Sequence, residues 1–167
     1  MKRKTVLLGF LLALSMILSY IESILPLSIG IPGVKIGLPN LVIVLLLYLF
    51  GTKDAILVNL LRILLTGFLF GNFSSILYAV SGAVFSFCIM LLLYKMKRFS
   101  IVGVSIGGGV FHNIGQMLIA MFVVEAYAPI FYLPYLMIAG VIAGFLVGIV
   151  CARVMPYLEK LVRDGEL

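Results

Sequence analysis

The chain has 167 residues, of which 64% are hydrophobic and 11% charged, and its mean hydropathy is +1.31. Such values exclude an ordinary soluble domain: at roughly 20 residues per crossing they leave room for about six membrane helices and no separate catalytic or nucleotide-binding domain. The net charge of +6 does not point to nucleic acid, because the basic residues fall between apolar runs, where they set topology in a lipid bilayer.

Lys2, Arg3 and Lys4 precede an apolar run predicted to span residues 6–25. Its charged start resembles a signal peptide, but no small-residue cleavage site follows, so a retained first helix is expected. Gly9 and Ala13 form a small-xxx-small pair suited to close contact with another helix, within this chain or in a partner. Near the far end, Glu22 is placed either at the headgroup boundary or in the mouth of the bundle. Residues 26–40, PLSIGIPGVKIGLPN, hold three prolines and three glycines and cannot be a regular helix. Their apolar character suits a loop folded back over a cavity; a plain connector is the alternative.

A short second span is expected over residues 38–50, ending in the polar turn Gly51, Thr52, Lys53 and Asp54. The third, residues 55–70, contains Asn59 and Arg62. Arg62 lies eight residues beyond Asp54, about 12 Å along the helix, too deep to snorkel to that interface. It therefore needs a partner: Glu22 in an ion pair, an anionic ligand, or backbone carbonyls. Gly71, Asn72 and Phe73 turn the chain into a fourth span, residues 74–94, where Ser75, Ser81, Gly82 and Ser86 are small enough for tight packing.

The fifth span, residues 101–124, is long enough to cross a bilayer yet carries His112, Asn113 and Gln116 midway. Each such group costs a few kcal/mol or more if it faces hydrocarbon unpaired, so these side chains should point into a bundle or polar cavity. His112 and Gln116 share a face, with Asn113 about 100° round from His112. Gly107, Gly108 and Gly109 permit close helix approach or local unwinding. The sixth span, residues 130–152, places Gly140, Gly144 and Gly148 on one face, and Arg153, Lys160 and Arg163 are assigned to a short amphipathic tail on the membrane surface.

With both termini cytoplasmic, ten of the twelve basic residues lie on the inner side; the exceptions are Lys35 and Arg62. Glu22, Lys35, Asn40, Asn59, Arg62, Asn72, His112, Asn113 and Gln116 then form an outward-facing polar funnel that suits an anionic or amphiphilic small molecule, with apolar walls for a ring or chain. Cys88 and Cys151 lie in apolar runs without metal-ligand spacing, so no metal or cofactor is expected. No aspartate-rich pair, nucleophile elbow or phosphate loop points to an enzyme.

Pro32, Gly33, Val34, Lys35, Ile36, Gly37, Leu38, Pro39 and Asn40, then Asn59, Arg62 and Gly67, then His112, Asn113, Ile114, Gly115 and Gln116, resemble the Gx transporter family, also labelled heptaprenyl diphosphate synthase component I. The resemblance covers nearly the whole chain. That family is similar to the substrate-binding S components of energy-coupling-factor (ECF) vitamin transporters. It implies an all-α bundle of six membrane helices, an outer pocket capped by the first loop, residence in a bacterial plasma membrane, and a coupling subunit with its ATPases as partner. Gly9 and Ala13 would be the coupling contact; S components more typically carry alanine at both positions. The synthase label implies the alternative of a non-catalytic membrane scaffold for prenyl diphosphate, quinone or flavin-linked electron-transfer enzymes.

Overall fold

The computed structural model describes residues 2–24, 37–125 and 128–163. They form α1 (Lys2–Ile24), α2 (Leu38–Leu49), α3 (Thr52–Phe70), α4 (Phe73–Met96), α5 (Ile101–Val124) and α6 (Leu133–Arg163), with a one-turn 3-10 segment, Ala128–Tyr132, ahead of α6. Most of the predicted cavity loop, including Lys35, lies outside the described residues. Among the described residues, four helices are long and apolar enough to cross a membrane. Together with the many large apolar side chains left exposed, among them Phe10, Phe68, Phe122 and Phe131, they mark an all-α membrane protein with six α-helices among the described residues.

Local chemistry sets the boundaries. Gly37 and Gly51 precede α2 and α3 with φ of 73° and 88°, a region closed to most side chains. Asn72 caps α4 in a reciprocal box with Ser75, each side chain accepting from the other's backbone N–H. At α5 the Ser100 hydroxyl accepts from Gly103 N. Thr52 and Asp54 belong to the first turn of α3, not to the predicted polar turn, and Asp54 pairs with Lys4 at 2.7 Å, tying α3 to α1.

α2 is the short helix around which the others close. Its 12 residues cover about 18 Å, well under the roughly 30 Å of a hydrocarbon core. Residues 42–47 are nevertheless all between 0 and 3% exposed, so every face of the helix meets protein. A helix apolar all round belongs in a core, which explains a run such as LVIVLLLYL on so short an element. α2 packs with α1 and α3 in one group, α5 packs with α4 and α6 in another, and the groups meet through α2 with α6 and α3 with α4.

The α5–α6 seam is the closest. A Cβ on Gly144 would lie 2.6 Å from Ile106 Cα and one on Gly148 2.7 Å from Val102 Cα, so the expected glycine face on α6 lets two backbones touch. α5 is continuous through Gly107, Gly108 and Gly109, and the structure realises close approach there, not unwinding. The sequence reading of residues 153–163 is corrected: they continue α6 through Pro156 instead of forming a separate surface tail. Met155, 3% exposed, and Leu158 join the hydrophobic core and hold that extension to the bundle.

Candidate functional site

The C-terminal ends of α1, α3 and α5 and the N-terminal ends of α2, α4 and α6 lie together at what we call the distal end. From there a cavity of about 190 Å³ descends between the two helix groups, lined by residues of all six helices. Its rim includes the exposed Ser23, Phe70 and Gly71; its floor includes the buried Val44, Met90, Ser105 and Val147. Among the described residues, Gly37, Pro39, Asn40 and Val44 are what α2 and its N-cap contribute to the cavity wall.

Arg62 lines this cavity and is 8% exposed. Its Nη2 donates to Asn59 Oδ1 at 2.8 Å and its Nη1 to Ser19 Oγ at 3.3 Å, while Nε is buried with no hydrogen-bond partner among the described residues. Among those residues no carboxylate forms an ion pair with the guanidinium; Glu22 acts on it electrostatically from further away. The Glu22 Oε1 instead accepts from Gly37 N at 2.5 Å, where the positive end of α2 stabilises a carboxylate. Arg62 thus donates to the side chains of Asn59 and Ser19, partners not among those expected from the sequence, and part of its donor capacity is unspent.

Across the cavity, α5 contributes His112, Asn113 and Gln116. The His112 ring sits against Gly82 of α4, so closely that a Cβ there would be 2.7 Å from Cε1. Asn113 is 5% exposed and donates Nδ2 to Leu136 O of α6 at 2.6 Å. It is therefore a cross-link as well as a wall. Two residues beyond Asn113, Gly115 O accepts from Ser81 Oγ at 2.7 Å, a bond that fixes α4 against α5.

Of the sequence-predicted site residues, Glu22, Asn40, Arg62, His112, Asn113 and Gln116 line one cavity. Asn59, 6% exposed, lies behind Arg62 and holds it. Asn72 is a correction: it is exposed, absent from the cavity wall, and engaged as the α4 cap. Lys35 falls outside the described residues. Gly9 and Ala13 are exposed on α1, and nothing lies within 4 Å of a Cβ built on Gly9. Sequence reading missed Ser19 and Thr66, although Ser19 is three residues before Glu22 and Thr66 four after Arg62, spacings that share a helix face. Thr66 Oγ1 donates to Arg62 O at 2.7 Å. Among the described residues no three metal-ligating side chains gather.

A family model described as heptaprenyl diphosphate synthase component I matches residues 11–154. The chain belongs to that family. No curated protein and no solved structure matches it. The cavity residues, from Ser19 to Val147, all fall within the stretch matched to the heptaprenyl diphosphate synthase component I family, and so does Ala13; Gly9 precedes it.

Proposed function

We propose that this member of the heptaprenyl diphosphate synthase component I family is the substrate-binding membrane subunit of a small-molecule uptake transporter of the ECF S-component type. The observation that carries the reading is the buried Arg62 guanidinium, with Nε unengaged, in the wall of a cavity that all six helices line. A cation held in a low-dielectric bundle attracts an anionic or amphiphilic guest, since isolated charge there is costly. The distribution of basic residues supports a plasma-membrane orientation with both termini cytoplasmic, so the distal rim faces outward and the ligand enters from outside. Import requires an energy-supplying partner, a coupling subunit with ATPases, and the exposed Gly9 and Ala13 on α1 offer it a backbone-close contact. The chain itself carries out no chemical step.

Binding of co-purified small molecules, read by native mass spectrometry on wild type, Arg62→Ala and His112→Ala, tests this. Loss of the bound species in either variant is expected; unchanged occupancy in both removes the site. The family's own description favours a second reading, a non-catalytic scaffold for prenyl diphosphate, quinone or flavin-linked electron-transfer enzymes. Recovery with an ATPase and coupling subunit supports transport, and recovery with a prenyl transferase or redox protein supports the scaffold.

A further inference from the structure

We propose that the cavity selects a planar, single-ring monocarboxylate, with the carboxylate on Arg62 and the ring face on the glycine wall made by α5 and α6. This rests on the reading of the cavity as the ligand site and narrows the ligand class.

Size is the first constraint. An apolar cavity of about 150 Å³ holds one benzene molecule, so about 190 Å³ holds one ring and a small head group. Each isoprene unit approaches a benzene ring in size, and a prenyl chain of several units overfills the space.

Shape is the second. Gly108, Gly109, Gly140 and Gly144 all line the cavity, so this part of its wall is backbone, with the methyl of Ala143 beside it. The glycines cannot be replaced without cost, because a Cβ on Gly144 or Gly140 would meet α5 backbone within 3 Å. The packing that joins the two helices therefore also leaves this stretch of wall, beside the floor of Val44, Met90, Ser105 and Val147, without long side chains of its own, and a flat ring gains contact over its whole face there where a puckered ring does not.

Charge is the third. Arg62 is the Lys or Arg side chain that lines the cavity among the described residues, and its Nε has no partner there. A carboxylate matches a guanidinium in geometry and in unit charge. The Glu22 carboxylate acts on the same guanidinium, and it repels a doubly charged phosphate more than a monoanion. His112 and Gln116 line the cavity on α5, where a polar ring substituent finds hydrogen-bonding groups.

The test is a binding titration of the full-length chain in nanodiscs against protein-free nanodiscs, using benzoate, its neutral isostere benzamide, cyclohexanecarboxylate, inorganic phosphate and farnesyl diphosphate as probes. Benzoate binding is expected, with benzamide and cyclohexanecarboxylate each at least tenfold weaker and neither phosphate compound competing. Arg62→Lys keeps the charge and loses the planar fork, and weakens benzoate at least tenfold; it carries the test if Arg62→Ala fails to fold. Ala143→Leu crowds the glycine wall without replacing Arg62 and abolishes benzoate binding. Benzamide or cyclohexanecarboxylate binding as well as benzoate, or no benzoate binding, overturns the proposal. Arg62-dependent binding of farnesyl diphosphate or phosphate in place of benzoate overturns the ligand class while leaving the cavity as the site. Benzoate binding unchanged in Arg62→Lys and Ala143→Leu overturns both.

Discussion

Replacing Gly144 by alanine asks the most of the packing described above. A Cβ at this position would stand 2.6 Å from Ile106 Cα and 2.7 Å from Ser105 O, whereas ordinary contacts fall at 3.4–4 Å. At the tighter contact the deficit is about 0.8 Å, taken as 3.4 minus 2.6, and both obstacles are backbone, so no side chain can swing aside. The helices must part or bend, and overpacking of this kind costs about 1–3 kcal/mol. Alanine recovers about 1 kcal/mol of helix propensity, leaving a net loss of roughly 0–2 kcal/mol. For a chain of this length that lowers the thermal midpoint by up to about 8 °C. Gly9→Ala is the matched control, with nothing within 4 Å of the new atom, and should leave the midpoint unchanged or raise it. Thermal unfolding of both variants in the same detergent makes the comparison. Equal midpoints for the two variants would refute the close seam between α5 and α6.

Gly82→Ala should displace the His112 ring, which is the far end of a side chain and can turn away, so the midpoint moves little while ligand binding weakens and the imidazole NMR resonances shift. Asn113→Leu removes the 2.6 Å bond to Leu136 O and should cost about 1 kcal/mol, measured by thermal unfolding, since that carbonyl loses its second acceptor bond. Asn72→Ala deletes the α4 cap and should cost about 1 kcal/mol without altering ligand affinity, which separates a structural asparagine from the cavity wall.

Much of the fold was readable because lipid imposes a strong pattern: α5 runs over the predicted 101–124, and α2 and α4 match to within two residues at each end. The end of α6 was not, because Arg153, Pro156, Lys160 and Arg163 look like the edge of a membrane span, while what decides the matter is Met155 meeting residues distant in sequence. Arg62, His112 and Gln116 could be picked out as polar groups at the wrong depth for solvent, and all three line the cavity. Asn72 carried the same letter code as Asn113 but serves a helix end, a distinction that depends on Ser75 three residues later. Sequence alone did not reveal that Gly82 makes room for His112, since the two are thirty positions apart.

The brevity of α2 has a final consequence. Residues 42–47 stop the chamber like a cork, sealed on all sides within the other five helices. On the proposed reading, a guest that settles above them meets, among the described residues, a closed stop, and leaves by the way it came unless that cork is drawn. The resting shape is that of a vessel and not of a pipe.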